Sequence, residues 1–200
     1  RPISLTSQIG KILESVIKDA VINHLKEHNL INESQHGFTA KKSCLTNLLS
    51  FLEVVTDYVD QGMPVDAIYL DFQKAFDKVP HSRLLQKVRA HGIGGNVAKW
   101  IECWLSGRRQ RVVLNGNKSQ WCNVKSGVPQ GSILGPLLFV IFINDIDDNM
   151  VNTLFKFADD TKLIGKVASA SDVRVLQEDL QRLFSWSQDW QMLFNTSKCG

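Results

Sequence analysis

The chain has 200 residues, 44% hydrophobic and 22% charged, which excludes intrinsic disorder and allows one domain or two lobes sharing a core. Its net charge of +3 neither demands nor excludes a nucleic-acid partner. The longest apolar run, 133–146, is broken by Gly135, Pro136 and Asn144 and falls short of the ~18 residues of a membrane span, so no membrane partner is expected.

In chain order, the first expected element is a helix over about 6–28, where Ile9, Ile12, Leu13, Val16, Ile17 and Leu25 recur at helical spacing. A polar loop, 32–42, leads to a second helix over 43–60. Its expected buried stripe is Leu45, Leu48, Leu49, Leu52, Val55 and Val59, and Gly62 and Pro64 stop it. Residues 65–72 alternate as a strand, with Ile68, Leu70 and Phe72 on one face and Tyr69 and Asp71 on the other. Two helices are expected at 81–90 and 96–105. A hairpin follows, with arms 111–114 and 121–125 around Asn115-Gly116-Asn117. A buried helix over 131–145, a hairpin over 154–167 around Asp159-Asp160, and an amphipathic helix over 172–190 complete the series. The order αα, β, αα, ββ, α, ββ, α indicates an α+β fold with an antiparallel sheet.

Two places set acids where they are locally out of character. Asp71 ends the apolar strand Ile68-Tyr69-Leu70-Asp71-Phe72, and Asp159-Asp160 interrupts 155–161. Asp is a poor strand former, and beside an apolar core its charge needs a cationic partner. If the two strands are neighbours, three carboxylates meet at one sheet edge. Hard oxygen donors at that density suit Mg2+, and two such ions can drive phosphoryl transfer. Taken singly, each acid is more simply a cap or turn residue. Between the two strands lies Ser126-Gly127-Val128-Pro129-Gln130-Gly131-Ser132-Ile133-Leu134-Gly135-Pro136, a tight backbone path that enters a helix.

Tyr69-Leu70-Asp71-Phe72-Gln73-Lys74-Ala75-Phe76-Asp77, then 126–136, then Phe157-Ala158-Asp159-Asp160 stand in the order of the catalytic motifs of reverse transcriptases. Arg1-Pro2-Ile3-Ser4-Leu5 and Gln35-His36-Gly37-Phe38 resemble upstream motifs of the non-LTR retrotransposon branch, and 190–198 resembles the last palm motif. The Phe-Ala-Asp-Asp form, where retroviral enzymes generally carry Tyr-x-Asp-Asp, resembles the jockey and chicken-repeat group most closely. The resemblance spans essentially the whole chain.

This resemblance implies a right-hand polymerase fold without a thumb, with fingers at 1–62 and 81–128 and palm at 63–80 and 129–200. It implies RNA-directed DNA synthesis from an RNA template, a DNA primer and deoxynucleoside triphosphates, with two Mg2+ ions that Mn2+ can replace. Asp71 and Asp159 would hold both ions, Asp160 would be the third carboxylate, and the Phe72 carbonyl would add a ligand. Gln130 and Gly131 would touch the nucleotide, Phe76 would discriminate the sugar, and Lys198 would give a proton to pyrophosphate. The sequence departs from the family at Gly37-Phe38-Thr39-Ala40-Lys41-Lys42-Ser43, where many relatives carry a basic residue directly after Gly-Phe. Lys42 matches the second basic position with Lys41 beside it, and these two would bind the triphosphate. The start at Arg1 and the end inside the last motif suggest a fragment.

The segment 99–125 holds six cations (Lys99, Arg108, Arg109, Arg111, Lys118 and Lys125) against the single acid Glu102. Arg108, Arg109, Arg111 and Lys125 are the residues expected on template and primer phosphates; apart from the motifs, this would be a solvated face. Trp100, Trp104, Trp121, Trp186 and Trp190 read as core, and His36 and His91 as structural. Cys44, Cys103, Cys122 and Cys199 form neither a C-x-x-C pair nor a zinc spacing with histidine. Reduced, mostly buried thiols and an intracellular setting, nuclear or cytoplasmic and ribonucleoprotein-bound, are the expectation. Three further readings stay open: a group II intron-type maturase, a palm-type nucleotide cyclase, and a catalytically inactive relic or recruited nucleic-acid-binding module.

Overall fold

The computed structural model describes residues 3–200, so Arg1 and Pro2 of the first upstream motif lie outside the described residues. The chain divides into two compact units, 1–28 with 76–142 and 29–75 with 143–200.

The second unit is built on one antiparallel sheet. β1 (Val65–Leu70) and β6 (Thr153–Phe157) both pair with the central β7 (Asp160–Lys166). Buried Leu154, Phe155, Leu163 and Ile164 anchor the sheet. Helix α2 (Cys44–Asp60) packs against β1 and β6, with the Phe51 ring edge-on to Phe155 at 6.1 Å. That packing is why 29–60 groups with the sheet. Helix α7 (Ala170–Asp189) packs on β7, where buried Asp179 accepts the backbone N–H groups of Val151 and Asn152.

The first unit contains α1 (Gln8–Glu27), the single turn α3 (Ala75–Lys78), α4 (His81–Ala90) and α5 (Gly95–Leu105). Helix α6 (Gly135–Ile143) is apolar throughout and is the centre of this unit's core. Glu14 of α1, fully buried, accepts the N–H groups of Ile133 and Leu134 that lead into α6. A carboxylate there satisfies donors that a helix start leaves without partners.

The basic segment forms four two-residue strands: β2 (Arg109–Gln110) with β5 (Cys122–Asn123), and β3 (Val113–Leu114) with β4 (Asn117–Lys118). The paired residue numbers sum to 232 in the outer pair and 231 in the inner one, so residues 119–121 face only 111 and 112, an extra residue that marks a bulge.

The apolar face of α1 is largely solvent-exposed, with Ile9 at 81% and Ile12 at 70%. Two expectations change. On α2, Leu45, Leu48, Leu49, Leu52 and Val59 are exposed too; periodicity identifies an apolar face but not whether anything covers it. Cys44, Cys103 and Cys122 are free and exposed rather than buried. Among the described residues, no helix is long and apolar enough to cross a membrane.

Candidate active site

β6 and β7 are joined by the two-residue turn Ala158-Asp159, with Phe157 paired to Asp160. β1 pairs with β7 from Val65↔Lys166 to Leu70↔Thr161, so one further step in that register sets Asp71 opposite Asp160. Acids separated by 89 positions in the sequence thus become cross-strand neighbours. Both line a cleft of about 580 Å³ together with Cys44, Tyr69, Lys162 and Lys198. Asp159, nine-tenths buried, stands in the turn beside them.

The free edge of β1 is covered by 193–200. Gln73 donates to the Leu193 carbonyl at 3.0 Å and Asn195 to the Asp71 carbonyl at 2.7 Å; Tyr69 and Gly200 exchange both backbone bonds. Between these pairings 195–199 bulges outward in a turn, where Lys198 and Cys199 both donate to the Asn195 carbonyl. The bulge brings Lys198 Nζ to 3.3 Å from Asp71 Oδ2. An ammonium thus balances one carboxylate of the cluster. The bridge between Phe72 and Phe194 runs through the polar groups of Asp71 and Gln73 and leaves the Phe72 carbonyl out of it. Its ring is buried, stacked on Phe194 at 4.6 Å.

Among the described residues, no three Asp, Glu, His or Cys side chains are gathered closely enough to hold a metal ion. The donor chemistry still fits a hard divalent cation, because Asp71 and Asp160 present carboxylate oxygens to one cleft.

Other expected residues fall as follows. Lys42 pairs with Glu33 at 3.0 Å and also donates to the Glu33 carbonyl. Lys41 is exposed, with φ +64°. In the other compact unit, the Gln130 carbonyl accepts the Ser4 N–H at 2.8 Å, and Gly131 has φ +104° with no room for a Cβ against Ile3 and Ser4. Phe76 is buried, its ring stacked on Phe139 at 4.6 Å, which is the environment of a core residue.

Arg108 differs from the other cations of its segment. Its guanidinium donates to the carbonyls of Leu105 and Gly127 and lies over Trp104, and burial lowers its pKa. It holds the chain together and is not displayed for a ligand. Arg109 and Arg111 are exposed, with guanidinium carbons 5.6 and 4.5 Å from the Trp121 ring centre. Lys118 and Lys125 are exposed as well.

Sequence reasoning missed two buried polar residues that shape the site. Lys156 is fully buried between the two phenylalanines of β6. Its ammonium donates to Asp147 at 2.6 Å and to the Asn144 carbonyl, while Asp147 also accepts from Ser34 and Asn32. Burial acts to raise the Asp147 carboxyl, but Lys156 and these hydrogen bonds outweigh it and hold it below its usual value. The signal was a lysine inside an apolar strand near the acid-rich 145–148. The other residue, Gln35, carried no such signal.

Over residues 1–200 the chain matches the family described as Reverse transcriptase (RNA-dependent DNA polymerase). It belongs to that family. It is 30% identical to the RNA-directed DNA polymerase from mobile element jockey of Drosophila funebris, over 100% of this chain and 23% of that protein. It is 29% identical to the probable RNA-directed DNA polymerase from transposon X-element of Drosophila melanogaster, over 99% of this chain and 22% of that protein. The chain thus spans under a quarter of the length of these relatives. Apo telomerase from Candida tropicalis shares the fold, with a TM-score of 0.68 at 13% identity, over 94% of this chain and 39% of that one. The reverse transcriptase domain of the jockey and X-element type of non-LTR retrotransposon is the group these relatives define.

Proposed function

We propose that this domain carries the polymerase centre of a longer retrotransposon protein, extending a DNA primer on an RNA template from deoxynucleoside triphosphates. The observation that carries this reading is the meeting of Asp71 and Asp160, from distant stretches of sequence, in one cleft of a reverse-transcriptase-family chain. Asp71, Asp159 and Asp160 would be the carboxylates that hold two Mg2+ ions, which Mn2+ could replace, with the Phe72 carbonyl as a further oxygen donor. Such ions, when bound, favour the primer alkoxide and stabilise the leaving pyrophosphate. The chain's own residues position and neutralise. Lys198 Nζ, held beside Asp71, offers positive charge and a proton to the departing oxygens. Lys41 and Lys42 are assigned to the triphosphate and, from the other unit, Gln130 and Gly131 to the nucleotide.

Template and primer phosphates fall to Arg109, Arg111 and Lys125. Trp121 joins that group: its indole faces both guanidiniums, whose edge N–H groups are left for phosphate oxygens. The fingers and palm divisions and an intracellular ribonucleoprotein setting, nuclear or cytoplasmic, belong to the same proposal.

In the full-length protein, Asp71→Asn, Asp159→Asn or Asp160→Asn should reduce primer extension by at least roughly a thousandfold, because phosphoryl transfer depends on this charge. RNA affinity should change less than about twofold. Extension at the wild-type rate by the Asp159→Asn protein would sink the assignment.

A further inference from the structure

Gln35 lies in a stretch that reads as polar loop, yet it is fully buried. Residues 34–36 run parallel to β6: Lys156 N–H donates to the Ser34 carbonyl at 2.9 Å, and His36 N–H to the Lys156 carbonyl at 2.8 Å. This places the Gln35 side chain against the end of β6, at the Ala158-Asp159 turn. Its Oε1 accepts two backbone N–H groups, that of Gly37 at 2.7 Å and that of Ala158 at 3.0 Å. Both partners are donors, which fixes the oxygen end of the amide toward them.

We propose that Gln35 is a positioning residue for the carboxylate hairpin, fixing through Ala158 the direction in which Asp159 and Asp160 leave the turn. The inference rests on reading those aspartates as carboxylates of the polymerase centre.

Three observations support it. Ala158 has φ +56°, a conformation that a residue with a Cβ holds only when its surroundings impose it. The Gln35 bond falls on that residue. The Gln35 Nε2 is buried with no hydrogen-bond partner among the described residues. A side chain of similar volume without polar atoms would fill the space and leave no donor unpaired, so the amide's distinctive contribution is its acceptor. Gly37 closes the third side: a Cβ there would collide with the Ala158 backbone nitrogen and lie 2.9 Å from the Phe157 carbonyl carbon. With two residues in the turn, the Ala158 backbone leaves little freedom to the carboxylates that follow.

Gln35→Met in the full-length protein removes the acceptor and keeps length and burial. Hydrogen exchange without metal, primer or nucleotide is the primary readout. Amides in 155–162 and 34–38 should exchange roughly tenfold faster, the scale of one lost hydrogen bond, while 65–70 and 170–189 keep wild-type rates. In primer extension, the Mg2+ concentration for half-maximal rate should rise several-fold with the nucleotide KM unchanged. Uniform acceleration across 29–75 and 143–200 would show a general packing role and overturn the proposal. So would wild-type protection of the turn, or an unshifted Mg2+ requirement. Because exchange is read on the metal-free protein, its failure is distinguishable from failure of the polymerase reading, which the aspartate variants test.

Discussion

Asn115-Gly116 and Ala158-Asp159 each close a hairpin in two residues with positive φ at the first of them, and the resemblance ends there. Around the first, φ is +49° and +79°, a combination Asn-Gly adopts on its own, and every residue from 109 to 123 is exposed. Around the second, the turn opens on an alanine in a conformation alanine disfavours, and the structure surrounding it supplies the support: Gln35 on the Ala158 N–H, Gly37 against its backbone, and the Lys156–Asp147 pair behind it. The basic hairpin is thus specified by its own sequence and the carboxylate hairpin by its tertiary surroundings. A ribbon proposed to meet a flexible polyanion can be locally autonomous. Carboxylates that must hold a fixed geometry are better directed by packing that a ligand does not disturb.

The difference is open to attack at three points. Gly37→Ala should have the largest effect, because the added Cβ meets backbone rather than a movable side chain. Loss of about 3 kcal/mol or more in a denaturant melt is expected. A melt within about 0.5 kcal/mol of wild type would mean that the clamp yields easily, against the surface-substitution scale. Gly116→Ala should be milder. Nothing lies within 4 Å of a Cβ there, so only the left-handed backbone opposes it. About 1 kcal/mol is expected, as faster exchange confined to 109–123. Spread of that effect into 153–166 would contradict the autonomy of the basic hairpin.

Trp121→Ala should be the smallest change. Both guanidiniums remain, so the slope of RNA affinity against salt should be unchanged, while affinity falls a few-fold from lost pre-orientation, roughly 0.5–1 kcal/mol. Arg111→Gln, by contrast, should lower that slope by about one. Fluorescence anisotropy at several salt concentrations separates the two. A Trp121→Ala protein with altered slope would mean the indole does more than orient its neighbours.

The same contrast explains what the sequence disclosed. Asn115-Gly116, the strand ending at Asp71, and the helices at 8–27 and 170–189 follow from local rules of turn chemistry and period, and they were legible. The pairing of Asp71 with Asp160 was legible only as a conditional, since nothing local states which strands are neighbours. Gln35, Lys156 and Arg108 were not legible, because a polar residue's burial depends on partners elsewhere in the chain: Ala158 for the first, Asp147 for the second, Gly127 for the third. The exposed face of α2 was misread for the complementary reason. An apolar stripe records a face suited to burial, and only the tertiary structure tells whether another element lies on it.

The register of β7 has a consequence for the kinds of genetic change this domain can absorb. Asp160, Thr161 and Lys162 all line the cleft, and Thr161 and Leu163 are buried. A single codon inserted or deleted within β7 would slip its register against β1 by one and move Asp160 out of its place opposite Asp71. Substitutions at Lys166 or Thr153, at the exposed ends of the two strands, leave the register intact. In the ribbon at 109–123, where a bulge already breaks the alternation, one more residue would move few buried groups. The length of the carboxylate hairpin is therefore held more tightly by the packing than the identity of the residues at its exposed ends.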